Sequence, residues 1–234
     1  MAPPCSPSRA STSGQHPEIV RGLIYAIADT LVGRRDELRR FDDALDGLAT
    51  GAAGAIEVTG AAGIGKTRLL AEVAARADAR GYIVLRGAAA DLERDIAFWV
   101  FIEALDEYVE SAEPRRLAGL SEEVRAELAR VFPSLAHLGN ADTLRLQGER
   151  YRINRAVREL LERLAATKPL VLILDDFHWA DPASIDLAGS LLRRPPSAAV
   201  LLVMAARPHQ DSTGGACSSV RSERAPSAES SFTR

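Results

Sequence analysis

Eight consecutive residues, Gly60-Ala61-Ala62-Gly63-Ile64-Gly65-Lys66-Thr67, leave this chain few folds to choose from. They fill every fixed position of G-x-x-x-x-G-K-[ST], a loop whose glycines let the backbone curl until several N–H groups point inward at an anion. Such a loop belongs between a strand and a helix, because the strand anchors it and the helix adds the positive end of its dipole. Both flanks fit: Ala55-Ile-Glu-Val-Thr59 reads as a short buried strand and Arg68-Leu-Leu-Ala-Glu-Val-Ala-Ala75 as a helix. In that frame Lys66 reaches the outer phosphates of a nucleotide, the Thr67 hydroxyl ligates Mg2+, and Gly60 through Arg68 cradle the phosphate chain. Of 29 basic residues only Lys66 and Lys168 are lysine, so an arginine-biased chain keeps a compact point charge where the loop needs one.

The rest of the middle of the chain alternates strands and helices. Strands are expected at 55–59, 82–87, 170–175 and 198–205, and the almost purely aliphatic Leu170-Val-Leu-Ile-Leu174 suits a strand buried on both faces of a parallel sheet. Asp36 to Leu48 puts Leu38, Phe41, Leu45 and Leu48 on one helical face, and Glu149 to Ala166 does the same with Ile153, Val157, Leu160, Leu161 and Leu164. Segment 97–110 repeats apolar residues at helical spacing, and its Phe98, Trp99 and Phe101 read as packing core rather than a partner-binding face. Ser121 reads as the N-cap of a helix ended by Pro133, and Asp181-Pro182 as N-cap and first residue of another. The expected fold is α/β, the three-layer sandwich of P-loop NTPases, with a mainly parallel sheet and right-handed crossovers. A long helical insertion at 88–168 is expected to form a subdomain beside the sheet. Residues 1–28 and 209–234, rich in Ser, Pro, Gly and Arg without periodicity, are expected to be disordered around a domain at 29–208.

Hydrolysing a nucleoside triphosphate takes more than a phosphate cradle: a metal must be held and a water oriented. The run 170–174 ends in Asp175-Asp176, at the C-terminal end of a strand, where open α/β sheets place ligands. Alone, two aspartates there would read as a solvated turn. Paired with the phosphate loop, Asp175 becomes a Mg2+ ligand, usually through a water, and Asp176 the base for the attacking water. Arg207, at the tip of the last strand, reads equally well as a sensor of the γ-phosphate or as an exposed arginine where the chain leaves the sheet. His178 reads as a structural or sensing residue near the site, not a nucleophile.

A net charge of −3 argues against a general nucleic-acid-binding surface. Cys5 and Cys217 lie far apart and suggest neither a metal site nor a disulfide framework, and no apolar run approaches the roughly 20 residues of a membrane span. A cytoplasmic location is therefore expected.

Three segments, Leu31-Val-Gly-Arg-Arg-Asp-Glu-Leu38, Gly60 to Thr67, and Leu170-Val-Leu-Ile-Leu-Asp-Asp-Phe-His-Trp-Ala-Asp181, together resemble the nucleotide-binding module of STAND-class signal-transduction ATPases. The nearest likeness is to large ATP-dependent regulators with a LuxR-type DNA-binding domain, and to related AAA-type ATPase domains. The resemblance implies ATP and Mg2+ as ligands and an adenine-contacting role for Val32, Gly33 and Arg34. It makes Arg207 the family's first sensor position. It also implies self-association or a regulatory protein partner, with DNA reached only through a domain absent here. Family members continue into a fifth strand, a helical lid and helical repeats, whereas the sequence after Arg207 has no such patterning and reads as a truncation. The competing expectations are a binding-only remnant, a DNA-linked AAA-type ATPase, and a small-molecule kinase.

Overall fold

Each strand that the apolar runs ask for is paired in one sheet. The computed structural model describes residues 33–111, 117, 119–138, 149–208 and 219–224. Arg34–Arg234 form one compact unit; of the preceding unit, Met1–Gly33, only Gly33 is described, left-handed at φ 84°. Helix α1 (Arg35–Ala49) leads into β1 (Gly54–Thr59), α2 (Lys66–Ala79) and β2 (Ile83–Ala88). Helices α3 (Trp99–Ser111), α4 (Glu122–Leu128) and α5 (Glu149–Leu164) follow. Then come β3 (Leu170–Asp175), α6 (Pro182–Arg193), β4 (Val200–Ala206) and β5 (Ser219–Arg224).

The strands lie in the order β2-β3-β4-β1-β5, the first four parallel and β5 antiparallel to β1. The fold is therefore α/β, as expected. Alternation along the strands divides the core into two layers. Leu170, Leu172 and Leu174 of β3 and Val200, Leu202 and Met204 of β4 join a core that includes Phe101, Leu128, Leu160 and Leu187 from α3 to α6. The opposite alternation, Val171, Ile173, Leu201 and Val203, is equally buried, and α1 and α2 pack on that side against β4 and the neighbouring strands. The β1–α2–β2 connection crosses one face leftward, and the returns to β3 and β4 cross the other, as crossovers of a single hand require.

Local chemistry explains the boundaries. Ser121 Oγ accepts from Val124 N at 3.3 Å, and Asp181 accepts from Ala183 N and Ser184 N, both at 2.9 Å, so both predicted N-caps are made. Salt bridges clasp α1 to α2: Arg76 reaches Asp42 at 2.5 Å, while Arg80 reaches Asp42 at 3.0 Å and Asp46 at 3.2 Å. Gly87 lies where β2 meets α3, and a Cβ there would sit 2.2 Å from the carbonyl oxygen of Val100. Phe98 and Phe101 are buried, as read from sequence, whereas Trp99 is only partly buried and stands outside that core.

Four expectations need correction. The segment 88–168 is helical but, where described, is no subdomain: its helices share one continuous core with the sheet. The helix opened by Ser121 stops at Leu128, before Pro133, which instead starts a short 3-10 turn. There Val131 and Phe132 turn inward, both buried. The tail holds a strand: Ser219–Arg224 pairs along all of β1. That strand also moves the end of the folded unit past 208. Its sequence, Ser-Val-Arg-Ser-Glu-Arg, has no alternation to betray it; the pairing comes from the edge that β1 offers rather than from the segment's own pattern. The remaining residues of 1–28 and 209–234, with Val32 and both cysteines, lie outside the described residues. Among the described residues no helix is long and apolar enough to cross a membrane.

Candidate functional site

The loop between β1 and α2 is shaped by two left-handed glycines, Gly63 at φ 74° and Gly65 at φ 90°. A Cβ at either would meet nothing within 4 Å, so backbone conformation, not space, reserves these positions for glycine. Gly65 is also the N-cap of α2, which puts Lys66 in the first turn. Lys66 is buried, and its ammonium donates to the carbonyls of Gly60 at 2.9 Å and Ala61 at 3.0 Å, holding the charge across the mouth of the loop. Thr67 and Arg68 are exposed at the same helix end. The loop is tied to the sheet through Gly60 N, which donates to Ala206 O at the tip of β4.

Asp175 ends β3, buried, and its Oδ1 accepts from Asp176 N at 2.8 Å. Asp176 is left-handed at φ 46° and opens a 3-10 turn, Phe177–Trp179, that is closed by Trp179 N donating to Asp176 O at 2.8 Å. That turn swings the Asp176 carboxylate outward, to 45% exposure, while Asp175 stays in the sheet. The strand order sets β4 between β3 and β1, so the acidic pair, Arg207 and the loop share the C-terminal end of three adjacent strands. Among the described residues no three His, Cys, Asp or Glu side chains gather as a metal site. The Thr67 hydroxyl and the Asp175 and Asp176 carboxylates are oxygen groups at this end of the sheet, and hard oxygen donors are the type that suits Mg2+.

His178 reads the charges around it. Burial pushes its pKa below the ordinary imidazole value; Arg207 lowers it further, Asp176 opposes, and Lys66 and Arg94 add to the lowering. Lys66, Arg94, Asp176 and Arg207 are thus close enough to act on one ring. Both its nitrogens are buried without a hydrogen-bond partner, and Asp176 Oδ1 is 3.8 Å from Nδ1. The ring lies 5.0 Å from that of Trp179, centroid to centroid. Arg207 is exposed, with its guanidinium carbon 5.8 Å from the Trp179 ring, and Arg94 stands 4.8 Å from that ring.

Arg34 has a visible job. Its guanidinium donates to Ile64 O at 2.8 Å and to Glu37 Oε1 at 2.9 Å, bracing the phosphate loop from the start of α1. Sequence reasoning missed three further features. Arg94 beside Trp179 carried no motif. The bracing of the loop by Arg34 joins residues 30 positions apart. Asp181, read only as a cap, also accepts from Phe98 N at 3.0 Å and from Ser184 Oγ at 2.5 Å, tying the start of α3 to the site turn.

A protein-family model described as "AAA ATPase domain" matches residues 30–204. The chain is also 29% identical over 205 residues to an uncharacterized protein of Rhizobium meliloti (strain 1021), an alignment covering 76% of this chain and 18% of that protein. It therefore spans about a fifth of the length of that relative.

Proposed function

Because the chain belongs to the AAA ATPase domain family, we propose that it is the ATP-binding, Mg2+-dependent nucleotide switch of a regulatory ATPase, competent to hydrolyse ATP. The observation that carries this reading is the convergence of the phosphate loop, the Asp175-Asp176 pair and Arg207 at one end of β1, β3 and β4. The loop N–H groups that follow Gly60 and the N-terminus of α2 receive the phosphates, and the Lys66 ammonium exchanges its loop carbonyls for the outer phosphate oxygens. Thr67 and Asp175 would hold Mg2+, which would supply positive charge to offset that of the phosphates. Asp176, turned outward at the strand tip, accepts a proton from the attacking water, and Arg207 carries the charge that develops on the γ-phosphate. The adenine-contacting role that the family resemblance assigns to Val32, Gly33 and Arg34 belongs to this proposal, supported for Arg34 by its hold on Ile64. In this reading the fold is one ATPase domain from residue 29, with ADP as product and a protein partner, or a second copy, as the recipient of the switch.

A binding-only role is the second reading, favoured by the exposure of Asp176, which leaves the proposed base wet and loosely oriented. Titrating ATP with and without Mg2+, alongside phosphate release, separates the two. Lys66→Ala should weaken ATP binding about 10- to 100-fold, the worth of a charge-assisted contact. Asp176→Asn should keep binding but lower turnover about 100-fold or more, as for loss of a general base. Saturable binding with turnover that ignores Asp176→Asn would assign the base elsewhere, and binding untouched by Lys66→Ala would remove the phosphate loop from the site.

A further inference from the structure

Trp179 gathers cations from two separate segments at the site. Arg94 follows β2 and Arg207 follows β4, and both guanidinium carbons lie within cation–π range of this one ring, at 4.8 and 5.8 Å. The two arginines are not otherwise equivalent. Arg94 has an acidic partner, Asp91, at 3.4 Å, half exposed, whereas Arg207 has the exposed end of β4 and the ring. Trp179 is also the last residue of the turn that begins at Asp176, closed by the Trp179 N to Asp176 O bond. Its indole is half-buried and packs against the core shared by α3 to α6. One side chain therefore touches the arginine at the tip of β4 while its backbone closes the turn that presents Asp176.

We propose that Trp179 is a positioning residue that holds Arg207 over the phosphate end of the site and couples it to Asp176, with Arg94 as a second cation on the same ring. This rests on the ATP-site reading above and goes beyond it. A guanidinium on a flexible stem has many rotamers, and an aromatic face reduces them at little cost in desolvation. The preference for ATP over ADP then depends on the indole, although the indole meets no phosphate itself. A phenylalanine would keep the π-face and most of the effect; an alanine would release Arg207 and loosen the turn.

The test uses the full chain carrying Trp99→Phe, which leaves Trp179 as the only indole of the two in the sequence. Without nucleotide, Arg207→Ala and Arg94→Ala should each change the intensity of Trp179 emission, as removal of a nearby cation does. In binding titrations Trp179→Ala should reduce the ATP-over-ADP affinity ratio about tenfold, the scale of one cation–π contact in a partly desolvated setting. Trp179→Phe should stay within about threefold of the parent. Arg207→Ala should match Trp179→Ala, and the double variant should be no worse than either alone, since coupled residues are not additive. Unchanged emission in both arginine variants overturns the contact. An unchanged ATP/ADP ratio in Trp179→Ala, or effects that multiply in the double variant, overturns the coupling. If Trp179→Ala does not fold, as judged by its thermal melt, the phenylalanine and arginine variants decide. A parent that binds no ATP fails the site reading itself, and with it the coupling, while the emission arm still decides the contact.

Discussion

Phe98 is a bulky residue at φ 65°, a conformation that L side chains with a Cβ adopt at a cost. It is held there by the burial of its ring and by the bond from its N–H to Asp181. Replacing Asp181 by alanine removes a helix cap and orphans a buried N–H, so stability should fall by about 3 kcal/mol in a urea titration. A loss below about 1 kcal/mol would mean that the clasp is incidental. His178 gives a pH signature. Its folded pKa lies below its unfolded value of 6.5, so the unfolded chain binds the extra proton first as pH falls through that window. Stability should therefore decline with acidification from about pH 6.5 downward, and the stability difference between parent and His178→Gln should be constant above that range and shrink below it. A difference that grows on acidification would put a favourable partner on the ring. Lys66, Thr67, Asp175 and Asp176 were legible because the motif spells each in its local frame. The second bond of Asp181 was not, because its partner is 83 positions away and no sequence pattern marks it.

Helices and strands follow the apolar spacing, and the exceptions are physical. Aliphatic runs in β3 and β4 announced themselves, since a strand buried on both faces needs no polar alternation. Amphipathic α1 and α5 were equally legible. The helix after Ser121 ended early because packing of Val131 and Phe132 outweighed the propensity of the residues between. Close approach between β2 and α3 yields a paired prediction at Gly87 and Gly47. Gly87→Ala drives a Cβ against the Val100 carbonyl and should cost about 2 kcal/mol, the scale of overpacking. Gly47→Ala, inside α1 with nothing within 4 Å, should instead stabilise by about 0.5–1 kcal/mol. Denaturation midpoints of the two variants should move in opposite directions; a shared sign would put the β2–α3 contact in doubt.

At the scale of the molecule, β5 closes an edge that β1 would otherwise present along its whole length. Removing residues 209–234 should leave that row of N–H and C=O groups unpaired, and light scattering should show concentration-dependent association that the full chain lacks. Equal scattering from both chains would make β5 dispensable for solubility. This strand was hidden from sequence reasoning because a pairing driven by an open edge needs no pattern of its own. Parallel order, layering and the end of the sheet that carries the site were all legible, because one loop motif and one aliphatic strand ending in two aspartates fix them.

The position of β1 between β4 and β5 sets a timetable for synthesis. When the phosphate loop leaves the ribosome, neither neighbour of its strand exists. The first, β4, lies roughly 150 residues further on, which is on the order of ten seconds of translation. Until then the β2–β3 ladder can form while β1, with Gly60 and Lys66 behind it, waits unpaired. The end of the sheet that carries the phosphate loop is thus among the last parts to be completed, although the loop itself is among the first to be made.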